Sequence, residues 1–121
     1  MVLVDTSVWV SHLREGNVEL ENLLNEGLVA CHPFVIGELA CGNLKNRDEI
    51  LALLQTLTAV EMVEDDEVLH FIERNGLMGK GLGLIDIHLL ASALLADIPL
   101  WTLDKRLEQV SFNLKVCYEG R

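Results

Sequence analysis

Apolar positions along the chain fall into two patterns that alternate from end to end. Short continuous runs read as buried strands: residues 1–4 (Met1, Val2, Leu3, Val4), 28–31, 59–63, 98–103 and 114–117. Between them, apolar residues recur at helical spacing. A first helix runs through Val8, Trp9, Val10 and Leu13, with Asp5-Thr6-Ser7 offering cap chemistry at its start. A second carries Val18, Leu20, Leu23 and Leu24 on one face and ends at Gly27. Pro33 suits the first turn of a third, which ends near Gly42. Helical spacing returns over residues 48–57. It returns again from the acidic cluster Glu64-Asp65-Asp66-Glu67, a solvated helix start favoured by the macrodipole, to Asn75-Gly76. Two more helices follow, one through Leu84–Leu90 and one ending near Val110. Strands alternating with helices predict an α/β protein, a parallel sheet covered on both faces, within one domain over residues 1–121.

Four acids break this pattern. Asp5 ends the first apolar run, and Glu38 sits inside Phe34-Val35-Ile36-Gly37-Glu38-Leu39-Ala40. Asp86 interrupts the helical run Leu84, Ile85, Ile87, Leu89, and Asp104 follows the strand 98–103. A carboxylate beside a core is costly unless it is paired, hydrogen-bonded or bound to a cation. Each has an ordinary explanation alone, since acids favour helix starts. One metal ion explains all four together. Ligands in such sheets bind beyond the carboxyl ends of the strands, where Asp5 and Asp104 fall. An all-carboxylate site suits a hard cation, Mg²⁺ or Mn²⁺.

Composition narrows the picture. Half of the 121 residues are apolar, so the chain is globular. Its net charge of −10 speaks against a broad electrostatic footprint on nucleic acid. The three cysteines, Cys31, Cys41 and Cys117, show no C-x-x-C spacing, and the histidines His12, His32, His70 and His88 show no ligand spacing, so surface or satisfied roles are expected. The loop Gly79-Lys80-Gly81-Leu82-Gly83 fits neither phosphate-binding glycine pattern. No apolar run is long enough for a membrane span and no signal peptide is read, so a reduced, cytoplasmic protein with no membrane partner is expected.

Residues 1–9 (MVLVDTSVW), Glu38, residues 83–93 (GLIDIHLLASA) and residues 101–107 (WTLDKRL) together resemble the PIN-domain ribonucleases, and within them the VapC toxins of bacterial toxin–antitoxin pairs. The resemblance spans the chain. It implies a PIN-like three-layer α/β/α sandwich and a Mg²⁺- or Mn²⁺-dependent endoribonuclease leaving 5′-phosphate and 3′-hydroxyl ends. The family pattern falls on Asp5, Glu38, Asp86 and Asp104 as catalytic, metal-holding acids, with Thr6, Ser7 and Thr102 in support. Arg14, Lys80, Lys105 and Arg106 are the basic residues expected to hold the RNA backbone. The family also implies a cognate VapB-like antitoxin and a homodimer. A groove for an amphipathic antitoxin segment is expected among Val10, Leu13, Leu20, Leu23 and Leu24 with Leu44, Ile50, Leu53 and Leu54. Two alternatives stand beside this reading. One is a PIN-fold binding module without strong catalysis. The other is a phosphatase of the haloacid-dehalogenase type, which would want an acid where Ser7 stands.

Overall fold

The computed structural model describes residues 1–120. Its order is β1 (Val2–Val4), α1 (Thr6–Glu15), α2 (Val18–Asn25), β2 (Val29–Cys31), α3 (Pro33–Cys41), α4 (Arg47–Leu54), β3 (Thr58–Ala59), α5 (Asp65–Arg74), α6 (Leu84–Ala96), β4 (Leu100–Trp101) and α7 (Lys105–Asn113). The four strands pair in parallel in the order β3-β2-β1-β4. Successive strand residues point to opposite faces, and Val2, Leu3 and Val4 are all buried, so both faces of β1 are covered by helices. This is the layered parallel architecture that the alternating pattern predicts.

Local chemistry explains the helix boundaries. Asp5 caps α1, Asn17 caps α2 through Leu20 N–H, and Asp104 caps α7. At α3 the cap is His32, whose ring Nδ1 accepts the Phe34 N–H ahead of Pro33 at the first turn. Every strand runs the same way, so the carboxyl ends after β1, β2 and β4 share one edge of the sheet.

The strands are shorter than the apolar runs suggest. Of the run 59–63 only Ala59 pairs, together with Thr58 just before it, on an exposed edge, and of 98–103 only Leu100–Trp101. The run 114–117 makes an isolated parallel bridge, Leu100 with Cys117, supported by Leu100 N–H to Val116 O and Tyr118 N–H to Leu100 O. Helix α4 stops at Leu54, three residues before the end of the helical spacing, because residues 55–57 turn towards β3. Apolar residues of these runs that lie outside the ladder are used for packing instead. Val60 and Val116 are both buried in the core outside any strand.

Candidate metal centre

Asp5 leaves β1 directly beside β4, with its backbone N–H on the Trp101 carbonyl at 2.9 Å. The residue is 6% exposed. Two hydroxyls donate to Oδ2: Ser7 Oγ at 2.6 Å and Thr102 Oγ1 at 2.8 Å. Each hydroxyl also accepts a backbone N–H from the strand-to-helix turn. Ser7 takes Leu103 N–H at 2.9 Å, and Thr102 takes Asp104 N–H at 3.0 Å. A hydroxyl can donate once and accept as well, so this set is saturated without recruiting Asp5 Oδ1. Ser7 and Thr102 thus hold Asp5 and tie the turn carrying Asp104 to the start of α1.

The other acids follow the same division. Thr6 Oγ1 donates to Glu38 Oε1 at 2.6 Å, bringing α3 to the N-terminus of α1. Gly83 N–H donates to Asp86 Oδ2 at 3.0 Å across the first turn of α6. Asp104 Oδ1 accepts the N–H groups of Arg106 and Leu107 at 2.9 and 3.1 Å as the cap of α7. All four carboxylates therefore use one oxygen to fix the backbone or a neighbour. Oδ1 of Asp5, Oε2 of Glu38, Oδ1 of Asp86 and Oδ2 of Asp104 accept no hydrogen bond from a described residue.

The electrostatics draw these acids together. Asp86 is pushed above the usual carboxylate range, first by burial and then by the charges of Asp5, Asp104 and Glu38, against the lowering effect of the Gly83 N–H. Three acids from three other elements thus act on one carboxyl. The donor set, all hard oxygen, fits a divalent cation in charge and chemistry. As the side chains stand, no three His, Cys, Asp or Glu among the described residues are placed to share an ion. Glu38 and Asp104 are exposed, so their free oxygens can turn without disturbing the core.

The basic residues named from sequence do not form one group. Arg14 lines a groove between α1, α3 and α4 with Thr6, Glu38 and Lys45. Lys80, Lys105 and Arg106 line a separate cavity between α7 and the segment after α5. The expected antitoxin groove is corrected in part. Val10, Leu13, Leu44 and Ile50 do line the α1–α3–α4 groove, but Leu20, Leu23 and Leu54 are core residues. Leu24 is half-buried against that core, and Leu53 is exposed outside the groove.

Two histidines were missed. His32 is 0% and His88 3% exposed, with ring centroids 6.2 Å apart and Phe34 packed against both at 5.1 and 4.8 Å. Among the described residues His32 Nε2 and His88 Nδ1 are buried with no hydrogen-bond partner, so neither ring is the surface or fully satisfied histidine that its spacing suggests. Burial, with the neighbouring His88, pushes His32 down to about 4. The signal was present, because His32 follows the apolar run 29–31 as Asp5 follows 1–4.

Residues 2–113 match the family model described as PIN domain. The chain is 50% identical over 109 residues to a protein named Ribonuclease VapC32 in two strains of Mycobacterium tuberculosis, covering 89% of this chain and 88% of the relative. Among solved structures, the crystal structure of PAE2754 from Pyrobaculum aerophilum aligns with a TM-score of 0.66 at 17% identity, over 97% of this chain and 87% of that one. That last likeness speaks for the fold alone.

Proposed function

The chain belongs to the PIN-domain family, in its VapC-type ribonuclease branch, and on that premise we propose that it is a metal-dependent endoribonuclease serving as the toxin of a toxin–antitoxin pair. The observation that carries the reading is the shared division of labour among Asp5, Glu38, Asp86 and Asp104. Each has one oxygen committed to the fold and one left over, on the edge where ligands of parallel sheets bind. When bound, Mg²⁺ or Mn²⁺ supplies a Lewis acid that acidifies water and offsets charge building on a phosphodiester.

The side chains present do the rest. Asp5, Glu38 and Asp86 would hold the ion most directly, and Asp104 contributes through the one oxygen its helix cap leaves. Ser7 and Thr102 keep Asp5 from rotating, and Thr6 orients Glu38. The crowding felt by Asp86 favours a proton on it when no cation is present. Against a net charge of −10, a compensated acid centre flanked by Arg14 on one side and Lys80, Lys105 and Arg106 on the other supports weak, local RNA binding.

The partners belong to the same proposal. The α1–α3–α4 groove, about 660 Å³ and walled by Val10, Leu13, Leu44 and Ile50, runs to Thr6 and Glu38. An amphipathic helix of a VapB-like antitoxin seated there would reach the acids. Exposed Leu69, Leu94 and Leu95 on α5 and α6 support a homodimer through those helices. No helix among the described residues is long and apolar enough to cross a membrane, and a cytoplasmic site of action completes the proposal.

The test is cleavage of a randomised single-stranded RNA by the purified chain with Mg²⁺, with Mn²⁺ and with EDTA, reading the new ends. Metal-dependent internal cuts leaving 5′-phosphates support it. RNA left intact in both metals, with binding retained, favours a binding module. The phosphatase alternative finds no support, because Ser7 binds Asp5 where that chemistry needs a second acid.

A further inference from the structure

We propose that the cavity between α7 and the segment following α5 is a nucleotide subsite that holds one phosphate of the RNA and reads its base. The proposal rests on the ribonuclease reading above and gives that site a specificity element. Only nine Lys and Arg occur in the chain, and Lys80, Lys105 and Arg106 all line this cavity of about 420 Å³, with no acid in its wall. None of the three makes an ion pair with a described residue, so their charges are available to an anion. The Arg106 guanidinium rests against the backbone of Gly81, where a Cβ would lie 2.8 Å from Nη1. Gly81, at φ +76°, therefore lets the loop close over the arginine.

Amides line the same cavity. Lys105, Gln109 and Asn113 stand at i, i+4 and i+8 on α7, one stripe of the helix. Gln109 Nε2 donates to Asn113 Oδ1 at 3.1 Å, which fixes both amides. Gln109 Oε1 is left as an acceptor and Asn113 Nδ2 as a donor. Asn75 donates its amide N–H to Phe71 O at 3.0 Å and keeps Oδ1 as a further acceptor. Fixed donors and acceptors beside a cationic pocket suit the edge of an unstacked base whose phosphate lies on the cations. The link to the acids is covalent and short. Asp104 caps α7 through the N–H of Arg106, so one helical turn carries both an acid of the metal centre and two of the cations.

The experiment has two arms on the full chain. In EDTA, where nothing is cleaved, anisotropy of a fluorescent randomised single-stranded RNA is measured against KCl for wild type, the triple variant K80A/K105A/R106A and Lys105→Arg. The triple variant is expected to bind about tenfold more weakly, with a log–log salt slope shallower by about 0.7 for each phosphate released. Lys105→Arg keeps the slope. In Mg²⁺, the cut sites of the same RNA are sequenced for wild type and the double variant Q109A/N113A, which is expected to lose base preference at one position near the cut. Unchanged slope in the triple variant, or unchanged preference in the double variant, overturns the subsite. Capture of the co-expressed antitoxin by the triple variant is measured alongside, and its loss with RNA binding intact also overturns the subsite, by assigning the cavity to an acidic peptide. These failures differ from failure of the ribonuclease reading, in which wild type cuts no RNA in either metal.

Discussion

Thr102 and Asp5, 97 residues apart in sequence, meet at 2.8 Å where β4 and β1 end. The same hydroxyl accepts the Asp104 N–H, so a single buried threonine joins two of the four acids. Replacing it by valine keeps the shape and removes the hydroxyl. Asp5 then loses a donor and the Asp104 N–H its acceptor. Thr102→Val should destabilise the chain by about 1–3 kcal/mol in urea titration. It should also lower RNA cleavage by about 10–100-fold, the usual cost of losing a group that orients a metal ligand. Cleavage at the wild-type rate would show that Asp5 needs no such support.

Asp86 yields a prediction in the opposite direction. Its carboxyl is raised by burial and by the other three acids, so the folded chain binds that proton more tightly than the unfolded chain does. Metal-free stability should therefore fall as pH climbs through and above the ordinary carboxylate range. Asp86→Asn should melt higher than metal-free wild type at neutral pH while losing cleavage. Added Mn²⁺ should raise the melting temperature of wild type and not that of the variant, since only a competent folded site gains from the ion. A variant that melts lower without metal would remove crowding as the cause.

Buried His32 sets a separate pH dependence. His32 lies at about 4 in the fold, against an ordinary 6.5. Its neutral form is favoured by folding, so the stabilisation is complete above about 6.5 and is lost as pH falls towards 4. Up to about 3 kcal/mol is at stake over that window. His32→Asn keeps a side chain able to cap α3 and cannot titrate. Denaturant titrations at pH 7.5 and 5 should show a large loss for wild type and a smaller one for the variant. Equal losses would place the titrating group elsewhere.

The two leucine positions on the first helices now separate. Leu13 faces the α1–α3–α4 groove and Leu20 is fully buried. Leu13→Asp should leave the fold intact and weaken capture of the co-expressed antitoxin by tenfold or more, a change of about 1.4 kcal/mol or above. Leu20→Asp should unfold the chain, because it buries a bare carboxylate in a packed core. Full antitoxin capture by Leu13→Asp would move the interface off this groove.

Much of this was readable from the chain because acids beside apolar runs are conspicuous. Asp5 and Asp104 sit at strand ends where a core residue would be expected, and Asp86 and Glu38 interrupt apolar helices. The element order was equally legible, since strand runs and helical spacing alternate cleanly. What stayed hidden depends on packing. Leu20 and Leu24 share a helical face, yet one is core and the other half-buried, because helix rotation against the sheet is set by neighbours far away in sequence. Lys80 meets Lys105 only through the approach of the loop to α7, which no local pattern encodes. The run 98–103 was overlong for a related reason. Its last residues, Thr102 and Leu103, serve the Asp5 network instead of a ladder.

Whether the four acids form one cation site is tested by direct titration of Mn²⁺ into the metal-free chain. Calorimetry of wild type should show saturable binding, with Asp5→Asn weaker by at least about tenfold, a change of about 1.4 kcal/mol. Absence of saturable binding by wild type at millimolar Mn²⁺, or equal binding by folded Asp5→Asn, would contradict one shared site.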